Sequence, residues 1–221
     1  MRHYNRKIRN LLFDLDGTLT DPAEGITNSL IYALERFGIT AERESLYRFI
    51  GPPLRETFMK HFNFSPEGAE EAVACYREYF EKRGMFENSL YPGMAVLLEF
   101  FKDKGIIMGV ATSKPEPYAR QIVKHFGLSA YFSFVAGSGM DGSMTSKTEL
   151  IAYILKNFGL SPLETMMIGD RSYDIEGAVA NGLVSAGVTW GFSEEGELEA
   201  AGAEFIVKGI DELRSILLEV I

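Results

Sequence analysis

Leu11-Leu12-Phe13-Asp14-Leu15-Asp16-Gly17-Thr18-Leu19-Thr20 is the stretch on which the reading of this chain turns. Its apolar half predicts a buried strand, from about Ile8 to Leu15, and the run stops at two aspartates and a glycine. Buried carboxylates are costly unless they are paired or hold a metal. Residues i and i+2 of a strand point to one side, so Asp14 and Asp16 can converge on one ion or one substrate. Gly17 permits a tight turn and a close backbone approach. Taken alone, the stretch can also be a strand followed by an ordinary Asx turn, since Asp-Gly is a common turn dipeptide.

Outward from this stretch, the character of the chain changes twice. From Asp21 to about Leu90 helical periodicity dominates and no strand-like run stands out. Asp21-Pro22 predicts an N-cap with proline at the first helical position. Ile26, Leu30, Ala33, Leu34 and Phe37 then form one apolar stripe that stops at Gly38. Further helices are predicted over Glu42 to Phe49, which breaks at Gly51-Pro52-Pro53, and over Leu54 to His61. A fourth starts at Ser65-Pro66 with Ala69, Val73, Tyr76 and Phe80 inward, and fades at Gly84. After Tyr91-Pro92-Gly93 helices and strands alternate: helices over Met94 to Lys104, Tyr118 to Phe126, Lys147 to Phe158, Tyr173 to Ala180 and Ile210 to Val220. The strands between them are Ile106 to Ala111, Phe132 to Ala136, Thr165 to Ile168, Val184 to Val188 and Phe205 to Val207. That alternation predicts an α/β fold, a Rossmann-like parallel sheet covered on both faces. The domains expected are an α/β core from 1–20 and 91–221 and an inserted all-helical block at 21–90.

Composition narrows the classes. The 221 residues carry a net charge of −9, which leaves no basic stripe for nucleic acid. The basic start, Arg2 to Arg9, reads as a solvated end. One cysteine, Cys75, excludes a disulfide framework and fits packing in a reducing compartment. No signal peptide or apolar run near the ~18 residues of a membrane span is present, so a cytoplasmic protein without membrane contact is expected. His3, His61 and His125 are too scattered for a metal site.

Ligands of open α/β sheets bind at the carboxyl ends of the strands, so the residues that follow each strand matter most. These are Asp14 and Asp16; Thr112-Ser113-Lys114; a glycine loop leading to Lys147; and Gly169-Asp170 with Asp174 four residues on. All suit a phosphate and a divalent cation. Taken singly, Lys147 is an ordinary helix-start lysine and Asp174 an ordinary helix charge. Gly137-Ser138-Gly139-Met140-Asp141-Gly142 fits a dinucleotide fingerprint, but the helix opens too late, at the capping box Ser146-Lys147-Thr148-Glu149.

The ordered set Asp14-Leu15-Asp16-Gly17-Thr18, Thr112, Lys147 and Gly169-Asp170-Arg171-Ser172-Tyr173-Asp174 resembles the haloacid dehalogenase-like hydrolase superfamily over nearly the whole chain. The inserted block is similar to that superfamily's helical cap. Gly51-Pro52-Pro53-Leu54 and Thr112-Ser113-Lys114-Pro115 resemble its phosphoglycolate phosphatase branch, and the Gly137–Lys147 loop is more like that branch's nucleotidases. The resemblance implies a Mg²⁺-dependent phosphatase of a small phosphorylated metabolite, phosphoglycolate or a nucleoside 5′-monophosphate; a monomer or homodimer is expected. It implies Asp14 as nucleophile forming an aspartyl-phosphate, and Asp16 as general acid and base. Mg²⁺ would be held by Asp14, the Asp16 carbonyl and Asp170, with Asp174 orienting them. Thr112, the Ser113 amide and Lys147 would hold the phosphoryl oxygens.

The cap should select the leaving group, and Gly51 with Arg55, or else Arg48, is the candidate substrate contact. A phosphomutase or pyrophosphatase on the same scaffold is the alternative. A phospho-accepting signalling domain is disfavoured, because Asp16 would hydrolyse the phospho-aspartate that a signal must preserve.

Overall fold

The computed structural model describes residues 7–221; His3 and most of the basic start lie outside the described residues. Strand β1 (Asn10–Phe13) is wholly buried and parallel to a neighbour on each side. The strands that follow are β2 (Thr20–Asp21), β3 (Ser89–Leu90), β4 (Ile107–Pro115), β5 (Phe134–Ser138), β6 (Thr165–Gly169), β7 (Val184–Val188) and β8 (Phe205–Val207). Six of them form one parallel sheet in the order β5-β4-β1-β6-β7-β8, the Rossmann-like arrangement expected. Alternation along β1 divides its side chains between the faces. Leu11 and Phe13 join Met108, Val110, Met166 and Ile168 on one, while Leu12 joins Met167, Ile151 and Ala178 on the other.

Between 21 and 90 lie α1 (Ala23–Glu35), α2 (Arg43–Leu46), α3 (Leu54–His61) and α4 (Pro66–Tyr79), the last continued by a π-helical turn at Phe80–Gly84. The helices covering the sheet are α5 (Met94–Asp103), α6 (Glu116–His125), α7 (Lys147–Phe158), α8 (Ser172–Ala180), α9 (Glu197–Ala200) and α10 (Ile210–Val220).

Several boundaries differ from the sequence reading. Strand β1 is shorter than Ile8–Leu15, so Asp14 and Asp16 sit past its end and are not sheet neighbours. Strand β4 runs on through the Thr112-Ser113-Lys114 segment, with a register shift against β5 between Ala111 and Pro115. Strand β5 lies two residues later than expected. Helix α1 begins one residue late, at Ala23, whose amide donates to Asp21 Oδ1 at 3.0 Å, so aspartate caps it from outside. Gly38 does stop the stripe, with φ of 72° and Ile39 N donating to Leu34 O at 3.1 Å. Ser65 caps α4 as expected, its Oγ accepting from Gly68 N at 3.1 Å. At α7 the Ser146 half of the capping box forms, at 3.5 Å. Neither α9 nor the antiparallel pair β2–β3, in which Thr20 faces Leu90 and Asp21 faces Ser89, was expected from the pattern of residues. That ladder ties together the two crossings between the helical block and the sheet.

Helix α1 meets the π-helical turn through two glycines. A Cβ on Gly25 would sit 1.8 Å from the Gly84 carbonyl oxygen. Alanine improves helix propensity by ~1 kcal/mol, but a backbone carbonyl has no rotamer by which to yield, and overpacking costs ~1–3 kcal/mol. Gly25→Ala is therefore expected to be net destabilising, read as a lower urea midpoint with unchanged slope; an unchanged or raised midpoint contradicts this packing.

Candidate active site

Parallel register brings the strand ends to one rim. Phe13 is paired with Val110 on one side and Ile168 on the other, so the residues just beyond, Asp14, Ala111 and Gly169, stand level. The chain order reverses about β1, since β4 and β5 lie on one side and β6 to β8 on the other. Such a switch point is where open α/β sheets leave a crevice.

Lys147, the first residue of α7, reaches into this crevice and is 5% exposed. Its Nζ lies 2.9 Å from Asp14 Oδ1 and 2.7 Å from Asp174 Oδ1, and donates to the Ala111 carbonyl at 2.8 Å. Burial alone would lower the Lys147 ammonium, but Asp14 and Asp174 outweigh it and keep it charged. Asp16 takes a separate partner: Lys114 Nζ lies 2.8 Å from Asp16 Oδ2, and both side chains are largely but not wholly buried. Among the described residues Asp16 Oδ1 is buried with no hydrogen-bond partner. Burial raises the Asp16 carboxyl against the opposing pull of Lys114.

Asp170 is held in a slot made by two glycines. Its Oδ2 accepts from Phe192 N at 2.8 Å and its Oδ1 from Thr18 Oγ1 at 3.4 Å. A Cβ on Gly17 would lie 2.1 Å, and one on Gly191 2.3 Å, from Asp170 Oδ2. The closeness allowed by Gly17 thus serves a carboxylate of the same chain. Asp170 precedes α8, which starts at Ser172, so Asp170 and Asp174 do not share a helical face as their spacing suggested. Asp174 instead sits in the first turn of α8, where its Oδ2 accepts from Arg171 N at 3.2 Å.

Carboxylate oxygens of Asp14, Asp170 and Asp174 all fall within 4.8 Å of one another, and all three residues are buried. Burial pushes Asp170 well above the ordinary carboxylate range, with Asp14 and Asp174 adding to it, and raises Asp174 to about 6 in spite of Lys147. A compact all-oxygen donor set whose charges repel suits a hard divalent cation such as Mg²⁺. The Asp16 carboxylate is not part of this cluster.

Of the other expected residues, Thr112 is buried at the rim and its Oγ1 accepts from Lys114 N at 3.3 Å. Ser113 lines both a narrow cavity over Asp14, Thr112 and Lys147 and a larger one of ≈ 320 Å³ beneath the helical block. Gly51 borders both as well. Arg55 lines the larger cavity, yet its Nε pairs with Glu70 Oε1 at 2.6 Å. Arg48 lies over the Phe49 ring, 4.9 Å from its centroid.

Sequence reasoning missed Lys114 as a partner of Asp16, and it missed Arg171 and Glu197. Arg171 Nη1 donates to the Ile50 carbonyl at 2.6 Å, joining the sheet's rim to the helical block, while its Nε pairs with Glu197 Oε1 at 2.9 Å. Glu197 also accepts from the Ser172 and Glu194 amides. Only the position of Arg171 inside the Gly169–Asp174 motif signalled it beforehand.

A model of haloacid dehalogenase-like hydrolases matches residues 11–188. The chain belongs to this family. It is 44% identical to a 5′-nucleotidase of Pseudomonas aeruginosa, over 98% of this chain and 99% of that protein. It is 39% identical to the tyrosine-protein kinase PtkA of Mycobacterium tuberculosis, over 94% of this chain and 72% of that one. A crystal structure described as a predicted phosphatase from Clostridium acetobutylicum superposes with a TM-score of 0.93 at 46% identity, covering 96% of this chain and 99% of that one. Among the described residues no helix is long and apolar enough to cross a membrane.

The raised carboxyls carry a sign for stability. Asp170 and Asp174 bind protons more tightly folded than unfolded, so their contribution is full below the ordinary carboxyl value of ~4. Without metal it is lost as pH rises through the folded value, about 6 for Asp174. Thermal melts of the metal-free protein should therefore fall across this window. Asp170→Asn, which removes one repelling charge, should melt higher than the unsubstituted protein at pH 8; a lower melt would contradict the assigned repulsion.

Proposed function

We propose that this chain is a Mg²⁺-dependent phosphomonoesterase that forms an aspartyl-phosphate on Asp14, with nucleoside 5′-monophosphates as its preferred substrate class. That it is an enzyme of the haloacid dehalogenase-like phosphatase class rests on its family and on relatives such as the Pseudomonas 5′-nucleotidase. The finer reading rests on one observation: Asp16, Gly51, Ser113 and Lys114 line both cavities, so a phosphoryl group beside Asp14 has its leaving group beneath the helical block.

Each residue then has a task. Lys147 holds Asp14 by Oδ1, leaving the other carboxylate oxygen to attack phosphorus in line. The P–O bond to the leaving group breaks, and the alkoxide takes a proton from Asp16 Oδ1, the oxygen without a partner. Asp16, now a carboxylate, removes a proton from the water that attacks the phospho-aspartate, and Asp14 is returned. Thr112 and the Ser113 amide hold the phosphoryl oxygens. Mg²⁺ would be held by Asp14, the Asp16 carbonyl and Asp170, with Asp174 orienting them, and when bound it offsets charge on the transferring group. The block at 21–90 acts as the cap over the core formed by 1–20 and 91–221.

The large cavity favours a nucleoside over a glycolate. Its size falls in the ~300–1,000 Å³ range of small-molecule sites, and Phe49, Tyr76, Phe80 and Tyr118 line it. A glycolate carboxylate would need a cation, yet Arg55 is paired with Glu70 and Arg77 Nη2 is turned to the Met140 carbonyl at 3.1 Å. Aromatic walls suit a base, which they contact through its faces.

Phosphate release from a panel of esters with Mg²⁺ tests this. Nucleoside 5′-monophosphates should exceed phosphoglycolate in kcat/KM by about tenfold or more, the worth of ~1.4 kcal/mol of differential binding. Chelation should abolish turnover and Mg²⁺ restore it. Asp14→Asn should remove activity on every ester while its circular dichroism stays unchanged. Phosphoglycolate as the best substrate would overturn the specificity, and near-normal rates in Asp14→Asn would overturn the nucleophile. Phosphorus NMR of the products identifies a mutase or a pyrophosphatase, and label passing from ATP to protein tyrosine would favour the chemistry that the PtkA relative is named for.

A further inference from the structure

We propose that Lys114 is a positioning residue for this reaction: seated on Phe80 of the helical block, it grips Asp16 by Oδ2 and so leaves Oδ1 facing the leaving group. The inference rests on the phosphatase reading above and extends it to a residue with no role there.

Three observations carry it. The Lys114–Asp16 pair is 2.8 Å long, with the two side chains only 7% and 10% exposed, so the pair is largely withdrawn from solvent. Among the described residues Asp16 Oδ1 is buried and unpartnered, whereas Oδ2 is paired with Lys114, which makes the carboxylate two-sided. Lys114 Nζ also stands 4.5 Å from the centre of the Phe80 ring. An ammonium over a ring face is attracted by the ring's negative quadrupole.

The surroundings fix this geometry from both sides of the cleft. Phe80 stacks on Tyr76 at 5.6 Å and tilts against Tyr118 of α6 at 5.4 Å. It opens the π-helical turn Phe80–Gly84, a distortion often found at functional positions. On the core side, the register shift between Ala111 and Pro115 takes Thr112 to Lys114 out of the regular ladder with β5. Lys114 therefore has its stem on the sheet and its ammonium between an aspartate of the core and an aromatic ring of the helical block. Seating of that block and alignment of Asp16 become one event. Asp16 Oδ1 gives its proton to the departing oxygen as the P–O bond breaks, and the carboxylate left behind is already paired through Oδ2.

The test compares two leaving groups. An alkyl ester, adenosine 5′-monophosphate, needs a proton on its leaving oxygen, whereas 2,4-dinitrophenyl phosphate does not. Their kcat/KM values report P–O cleavage and exclude the later hydrolysis of the phospho-aspartate. General acids contribute about 10²–10⁴-fold, so Lys114→Met should lower kcat/KM for the nucleotide by about 10²-fold and for the dinitrophenyl ester by less than about threefold. Phe80→Leu, which leaves the charge pair but removes its seat, should show the same selectivity with a smaller loss between phenyl phosphate and 2,4-dinitrophenyl phosphate. Their single rings meet the aromatic wall alike, but their leaving oxygens differ in their need for a proton. This variant decides the matter alone if Lys114→Met does not fold. Equal losses on both esters, or no loss on either, would overturn the inference. Failure of the unsubstituted protein on both esters would instead overturn the phosphatase reading itself.

Discussion

One buried ammonium organises this molecule. Lys147 Nζ is shared by Asp14 after β1, Asp174 in the first turn of α8 and the carbonyl of Ala111 in β4. Four elements that are distant in the chain thus converge on a single charge. Removing one partner of a buried pair costs ~3–5 kcal/mol, because the other charge is left without water or a counter-ion. The same arrangement explains how carboxylates can crowd at the end of a hydrophobic sheet at all. It does not satisfy all of them: Asp170 keeps a strongly raised carboxyl, held by an amide and a hydroxyl instead of a cation. The site is short of positive charge by construction, which is the condition a divalent cation would relieve.

A second division follows from the lysines. Asp14 and Asp16 are two residues apart, yet each has its own cation, Lys147 for one and Lys114 for the other. Identical side chains in near-identical positions are thereby made different, one gripped within the acidic cluster and the other at the boundary of the large cavity. The helical block closes over this boundary through contacts from both directions. Arg171 of the rim reaches the Ile50 carbonyl, and Arg77 of the block reaches the Met140 carbonyl. Neither contact is to a side chain, so substitution at positions 50 or 140 need not break them.

Legibility in the sequence followed the range of the interaction. Buried strands, the stop at Gly38 and the Ser65 cap depend on neighbours within a few residues, and all were readable. The residues at the strand ends were readable too, because parallel register converts position along each strand into a shared rim. What escaped depends on partners far along the chain. The β2–β3 ladder pairs Thr20 with Leu90, and each strand is only two residues long. Gly191 gave no local sign that Asp170 would lie against it. The extent of β1 was overestimated because apolar Leu15 continues the pattern, although the chain has already turned, with the amides of Leu19 and Thr20 both donating to the Leu15 carbonyl. The shared helical face of Asp170 and Asp174 failed for a related reason: spacing of four means a common face only inside a helix, and α8 begins at Ser172.

The central claim is that Asp14 carries the phosphoryl group during turnover. Rapid acid quench during turnover of a ³²P-labelled nucleotide, followed by digestion and peptide mass spectrometry, addresses it directly. The account predicts label bound to the protein within the first turnover, on the peptide that contains Asp14 and at that residue. Phosphate released with no protein-bound label at any time, or label on a different residue, would contradict it.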